Sequence, residues 1–351
     1  MRHRAMGWLA GAAAACVVAA AGCARPGRRT FATPPAARDG AVVMRVAMAQ
    51  NADAFAAGKA AAEALQQQMG EVAPHVVLVS ECFDERRLKR RALKGICSVF
   101  PRAIVFGGAT YGSFAQAGCA DSNAVGLLAI GGPGVSVAAA LHTGLGTARL
   151  SFETDEATIV TRLHDAGQRL ARKLPRTPDD KLLLLIADAH SPKNAPLVEG
   201  VQREVGGQFP IVGGCVNKNA GQTYVYYQGR MYRDSAVAIV LAGDFRVALS
   251  GRMAKENAKV IASAKVAAAE ALKRLEAKPF AALAFNCAGR KGKLQRIEDE
   301  LAAIQQALGK SLPLFGCYCA GEIGPADRAD KKPGVLSSGE GWHVMFALLG
   351  R

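Results

Sequence analysis

Half of the 351 residues are apolar, enough for a core of ordinary size, and aromatic residues make up 6%. The formal charge of +15 raises nucleic acid as a partner, but the basic residues are spread along helix-like segments. No helix-turn-helix, zinc-finger or RNA-binding signature is present, so no nucleic acid is expected.

Residues 1–22 carry Arg2 and Arg4, then an uncharged run from Trp8 to Ala21 that is too short for a comfortable membrane span. Ala20-Ala21-Gly22-Cys23 resembles the lipobox of bacterial lipoproteins, which implies cleavage before Cys23, its acylation, and a place in the cell envelope. Alanine at position 24 implies, by the same resemblance, the periplasmic face of the outer membrane. Residues 23–40 hold turn formers and little to pack, and are expected to be a flexible tether.

The remainder repeats itself three times with a period of about a hundred residues. The first copy has the helix-like Ala57 to Leu65, the strand-like Val76 to Ser80, and Phe100-Pro-Arg-Ala-Ile-Val-Phe-Gly-Gly108. The second has Ala166 to Leu174, Leu182 to Ile186, and Phe209-Pro-Ile-Val-Gly-Gly-Cys215. The third has Ala264 to Leu272, Ala282 to Phe285, and Leu312-Pro-Leu-Phe-Gly-Cys317. Apolar strands at Ala124–Ile130, Ala236–Leu241 and Trp342–Leu349 close the copies. Tyr224 to Tyr232 reads as a hairpin turning at Gln228-Gly229, and Leu294, Ile297, Leu301, Ile304 and Leu308 form one helical stripe. Continuous apolar runs suit strands buried on both faces. The expected fold is α/β, with three related repeats of mixed sheets flanked by helices, over 41–150, 151–253 and 254–351.

Ligands of open α/β sheets sit beyond the carboxyl ends of the strands. There the copies place Ser80-Glu81-Cys82, Ala187-Asp188-Ala189 and Asn286-Cys287-Ala288. After the second strand come Gly107-Gly108, Gly213-Gly214 and Gly316-Cys317, whose glycines serve either close approach by a ligand or tight turns.

Phe285-Asn-Cys-Ala-Gly-Arg290, Pro313-Leu-Phe-Gly316 and Ala320-Gly-Glu-Ile-Gly-Pro325 resemble the carboxy-terminal domain of the FIST family. The upstream copies resemble its amino-terminal domain, through Asp53 to Gly58, Val212-Gly-Gly-Cys215 and Gly229 to Val240. The resemblance implies a sensory module that binds small ligands such as amino acids. It departs from the family pattern in a short link after Asp244, in Ser337-Ser-Gly-Glu-Gly-Trp342 before the last strand, and in carrying no output domain. Signalling would therefore pass through a separate partner.

Three chemistries compete for the last copy. A ligand site would use Cys287, Arg290, Tyr318, Cys319, Gly321 and Glu322, with the Arg290 fork on a carboxylate and Glu322 accepting from an amine. In a cysteine-dependent enzyme Cys287 would be the nucleophile and Glu322 the acid or base, but no histidine stands at a motif position. In a structural envelope module a basic surface would contact anionic partners, and in the structural alternative Arg290 and Glu322 pair and only fix the loops. Seven cysteines follow Cys23, with no CxxC among them, so a full disulfide framework and a zinc site are both disfavoured. No metal and no cofactor is expected, although a link from Cys287 to Cys317 or Cys319 is sterically conceivable.

Overall fold

The structure, a computed structural model, describes residues 30–37, 40–327 and 331–351. The signal segment and Cys23 lie outside the described residues.

A short strand, β1 (Thr30–Ala32), precedes three units of one design. The first unit runs β2 (Val43–Gln50), α1 (Ala54–Met69), β3 (Pro74–Glu81), α2 (Arg86–Val99), β4 (Ile104–Ala109), the hairpin β5 (Ser113–Ala115) and β6 (Gly118–Ala120), and β7 (Ala124–Gly131). The second runs β8 (Val135–Thr143), α3 (Phe152–Arg172), β9 (Asp180–Ala187), α4 (Asn194–Val205), β10 (Ile211–Cys215), the hairpin β11 (Val225–Tyr227) and β12 (Arg230–Tyr232), and β13 (Ser235–Gly243). The third runs β14 (Arg246–Met253), α5 (Asn257–Leu275), β15 (Pro279–Cys287), the single turn α6 (Ala288–Lys291), α7 (Ile297–Leu308), β16 (Leu314–Cys319), β17 (Glu322–Gly324) and β18 (Ser338–Glu340), and β19 (His343–Gly350). The α/β class with three mixed sheets flanked by helices is thus what the chain adopts.

Each unit forms a four-stranded core sheet in which the first two neighbouring pairs are antiparallel and the last is parallel, as in β2-β7-β3-β4, where only β3 and β4 run in the same direction. The leading strands β8 and β14 open the sheets of the second and third units, so the hydrogen-bonded units begin earlier than the expected boundaries at 151 and 254. The reason is that their antiparallel partners, β13 and β19, lie at the far ends of those units.

The hairpins are exchanged. Strand β11 pairs with β4 of the first unit, β17 with β10 of the second, and β5 with β16 of the third, closing a ring. The inner faces of all three sheets meet in one central core containing Leu78, Phe106, Ile186, Val216, Phe285 and Phe315. Each outer face packs its own helix pair. The helices of the first pair touch closely, because a Cβ on Gly58 would lie 2.2 Å from the Ala92 carbonyl oxygen.

The expected tether is corrected over its described part. Thr30, Phe31 and Ala32 pair with Ala140, Ala139 and Ala138 as an edge strand, and the Val137 N–H donates to Thr33 Oγ1 at 2.8 Å. Phe31 packs against the central core, which anchors this short strand.

Candidate functional site

The strand-end glycines serve the exchange of hairpins. In register, Tyr226 lies opposite Gly107, Ile323 opposite Gly213 and Phe114 opposite Gly316, so the first glycine of each copy faces a side chain from the incoming hairpin. A Cβ on Gly316 would overlap the Phe114 ring at 2.0 Å. The next position, on the opposite face, meets a side chain from the neighbouring unit. A Cβ on Gly108 would be 2.4 Å from Val216 Cγ1, and one on Gly214 would be 2.4 Å from Cys319 Sγ. Packing therefore fills the axis. The cavity left there has a volume of about 10 Å³, lined by residues of all three units, and holds one water at most.

Carboxylates at the strand ends latch the same hairpins. Glu81 is fully buried; its Oε1 accepts from Lys89 Nζ at 3.1 Å and from the Tyr226 hydroxyl, and its Oε2 from the Phe83 N–H at 2.9 Å. Burial beside Glu81 pushes the Tyr226 phenol well above its ordinary value. Asp188 accepts from Thr223 Oγ1 at 2.6 Å and from the Asp234 N–H at 2.7 Å, gripping β11–β12 on both flanks. His190 stands 3.4 Å from Asp188, and burial pushes its pKa down. The Asp-x-His pair is thus part of a packed corner.

The six expected site residues fall on two sides of the β15–β16 sheet, with Gly321 and Glu322 carried on the hairpin that joins the second unit's sheet. Alternation along β16 turns Cys317 and Cys319 toward the axis and Tyr318 toward the helices. Arg290 is also on the helix side and fully buried; it donates to Glu300 Oε1 at 2.7 Å, to the Val260 carbonyl at 2.9 Å and to Ser263 Oγ at 3.0 Å. The Tyr318 hydroxyl donates to Glu300 Oε2 at 3.0 Å. Where the structural alternative pairs Arg290 with Glu322, the partner is instead Glu300. The motif signalled Arg290, whereas Glu300 was missed. Its position on the apolar stripe, between Ile297 and Ile304, was the signal that could have found it.

The axis side holds Cys287, Cys319 and Glu322. Cys287 ends β15 opposite Cys319, and the N–H groups of Gly289, Trp342 and Arg290 point at its sulfur, the first at 3.3 Å. Burial, and then Glu322, nevertheless push the thiol up to about 12. Glu322 lies opposite Gly214, is fully buried, and accepts from the His343 N–H at 3.1 Å through Oε2. Its Oε1 has no hydrogen bond of good geometry. Burial drives this carboxyl well above its usual range, which favours the protonated form; the His343 N–H and the Cys287 thiol offset only part of that. Gly321, at φ +129°, packs against Ser191 and Asn194, where a Cβ would come within 2.9 Å of each. Cys317 and Cys319 carry free thiols with sulfurs 3.5 Å apart, and Cys287 is also free. Among the described residues no His, Cys, Asp and Glu group is arranged to hold a metal ion.

These features define the class: a cyclic α/β protein of three concatenated units locked together by exchanged hairpins, with buried polar latches at its strand ends. The FIST N domain model matches residues 75–262 and the FIST C domain model residues 216–325, and the chain belongs to the FIST family, whose domains are sensory modules of signal transduction. A search among curated proteins found no match. Among solved structures the chain is similar to a cyanuric acid hydrolase described as an evolutionary innovation by structural concatenation, at 9% identity and a TM-score of 0.47, covering 88% of this chain and 99% of the other. A cyanuric acid hydrolase from A. caulinodans aligns at 10% identity and a TM-score of 0.45, over 88% and 99% of the two chains. T. maritima PurL complexed with ATP aligns at 9% identity and a TM-score of 0.28, over 89% and 72%. At such identities and scores these neighbours bear on neither activity nor ligand.

Proposed function

We propose that this protein is an envelope sensory module, tethered through a lipid on Cys23 at the periplasmic face of the outer membrane. In this reading it binds a small carboxylate or amino acid and reports to a separate signalling partner. Membership of a sensory family supports the general role. The observation that carries the ligand class is Glu322, a fully buried carboxyl whose protonated form burial favours and whose Oε1 makes no hydrogen bond of good geometry. A carboxylic acid kept neutral by burial donates a strong hydrogen bond to a carboxylate, and an unpartnered buried polar atom costs about 1–3 kcal/mol that a ligand would recover. Arg290 is committed to Glu300, so the clamp on the ligand is Glu322 with Cys287 beside it. The ligand would enter by displacing the turn at Trp342, whose ring lies 3.1 Å from where a Gly289 Cβ would stand. A thiol at about 12 is almost wholly protonated at pH 7, which speaks against Cys287 as a resting nucleophile.

The test is a thermal-shift screen of amino acids, small carboxylates and polyamines on the chain from residue 24. A ligand at a hundred times its Kd adds about 2.7 kcal/mol of stability. The reading predicts a carboxylate hit that Glu322→Gln weakens and Glu322→Ala abolishes. No hit, or a hit untouched by either variant, would leave the strand ends as structural latches. Tethering is tested separately: Cys23→Ser should move the protein from the membrane fraction to the soluble one.

A further inference from the structure

Helix α2 breaks the rules of its own fold. Its sequence RRLKRRALKGICSV carries six basic residues and no acid, with no side-chain cap at its start. Arg86, Arg87 and Lys89 occupy the first turn, where the helix dipole disfavours cations, and Arg86, Arg90 and Lys94 repeat like charge at four-residue spacing. The corresponding helices need none of this. Helix α4 (NAPLVEGVQREV) has one basic residue, and α7 (IEDELAAIQQAL) has none and places Glu298, Asp299 and Glu300 in its first turn. The scaffold therefore does not demand a basic helix at this position. Departure from local rules without a structural return marks a functional surface.

The disposition of the charges fits that reading. Lys89 turns inward to Glu81, and Arg91 is held by Asp53 at 2.8 Å. Arg86, Arg87, Arg90 and Lys94 are exposed on the outer side of the first unit, and among the described residues no ion pair engages them. The acids nearby are Glu85, Asp84, which accepts from Gln222 Nε2, and Asp53. The face is a cationic stripe on a rigid, fully folded helix, without the aromatic side chains that would stack on bases.

We propose that the outer face of α2 is a docking surface for an anionic lipid headgroup layer, with Arg86, Arg87, Arg90 and Lys94 set against the phosphates. It acts independently of any lipid on the chain and turns the first unit toward the membrane.

The experiment is co-sedimentation of the chain from residue 24, which keeps every described element but not Cys23. Vesicles of phosphatidylglycerol mixed with phosphatidylcholine are compared with phosphatidylcholine alone. Binding should require phosphatidylglycerol and fade as salt is raised. Arg86→Glu, Arg90→Glu and Lys94→Glu together should weaken it at least about a hundredfold, on the scale of three basic contacts at an anionic surface. A charge-matched control, Lys273→Glu, Lys278→Glu and Lys310→Glu on exposed positions elsewhere, should weaken it far less. The α2 variant should fold, with a melting temperature unchanged or raised, because a glutamate at position 86 suits the helix dipole where arginine opposes it. Equal binding to neutral vesicles, or equal losses in the two triple variants, would overturn the assignment. So would tighter binding of a DNA duplex than of the anionic vesicles through the same three residues.

Discussion

Replacing Arg290 with alanine separates a ligand clamp from a structural pair. The guanidinium is fully buried and makes three hydrogen bonds, to Glu300, Val260 and Ser263. Its removal leaves the Glu300 carboxylate inside the α5–α7 layer with the Tyr318 hydroxyl at 3.0 Å as its remaining donor. Breaking a buried pair from one side costs about 3–5 kcal/mol, since the surviving charge stays desolvated. Removing both charges costs far less, because an apolar pair of similar volume is often neutral or stabilising. Equilibrium urea unfolding of Arg290→Ala, Arg290→Met and the double variant Arg290→Met with Glu300→Leu measures this. The singles should each lose about 3–5 kcal/mol, and the double should recover most of the loss. A loss under about 1 kcal/mol in Arg290→Ala would refute the reasoning and return the side chain to the surface, where a ligand can use it.

Four further outcomes follow from the same contacts. Gly214→Ala should cost about 1–3 kcal/mol by overpacking against Cys319 Sγ, and less when combined with Cys319→Ala, as a double-mutant cycle by chemical denaturation would read. Folding raises the Glu322 carboxyl above its unfolded value, so the native state holds the proton where the unfolded state releases it. Its contribution is present below about pH 4.3 and is lost as pH rises; Glu322→Gln should flatten the decline in stability above that pH, with an unchanged slope counting against the assignment. The Cys287 thiol at about 12 should be alkylated by iodoacetamide at a rate climbing about tenfold per pH unit, with no plateau near pH 8.5; a plateau there would contradict the burial account. Arg86→Glu with Arg87→Glu should raise stability by about 0.3–1 kcal/mol per site by matching the helix dipole, and a lower melting temperature would contradict that account.

The sequence alone determined the local chemistry of each copy. Runs such as Leu182 to Ile186 are strands because no polar side chain interrupts them, and Gln228-Gly229 turns the β11–β12 hairpin because both residues take positive φ, at 50° and 68°. Period-two alternation along Phe315 to Cys319 likewise settled that Tyr318 points away from Cys317 and Cys319, so one site containing both Tyr318 and Cys319 was already in conflict with the pleat. Only the tertiary structure decided which sheet receives each hairpin. A short strand's backbone groups are satisfied by any free edge, and the choice is made by what lies across it: Tyr226 reaching Glu81 over Gly107, and Phe114 lying on Gly316. The same holds for Arg290. Its motif announces a charged residue beside Glu322, but the chain turns through α6 at that point and buries the guanidinium among α5 and α7. There Glu300, Val260 and Ser263 supply three acceptors at once, at 2.7, 2.9 and 3.0 Å.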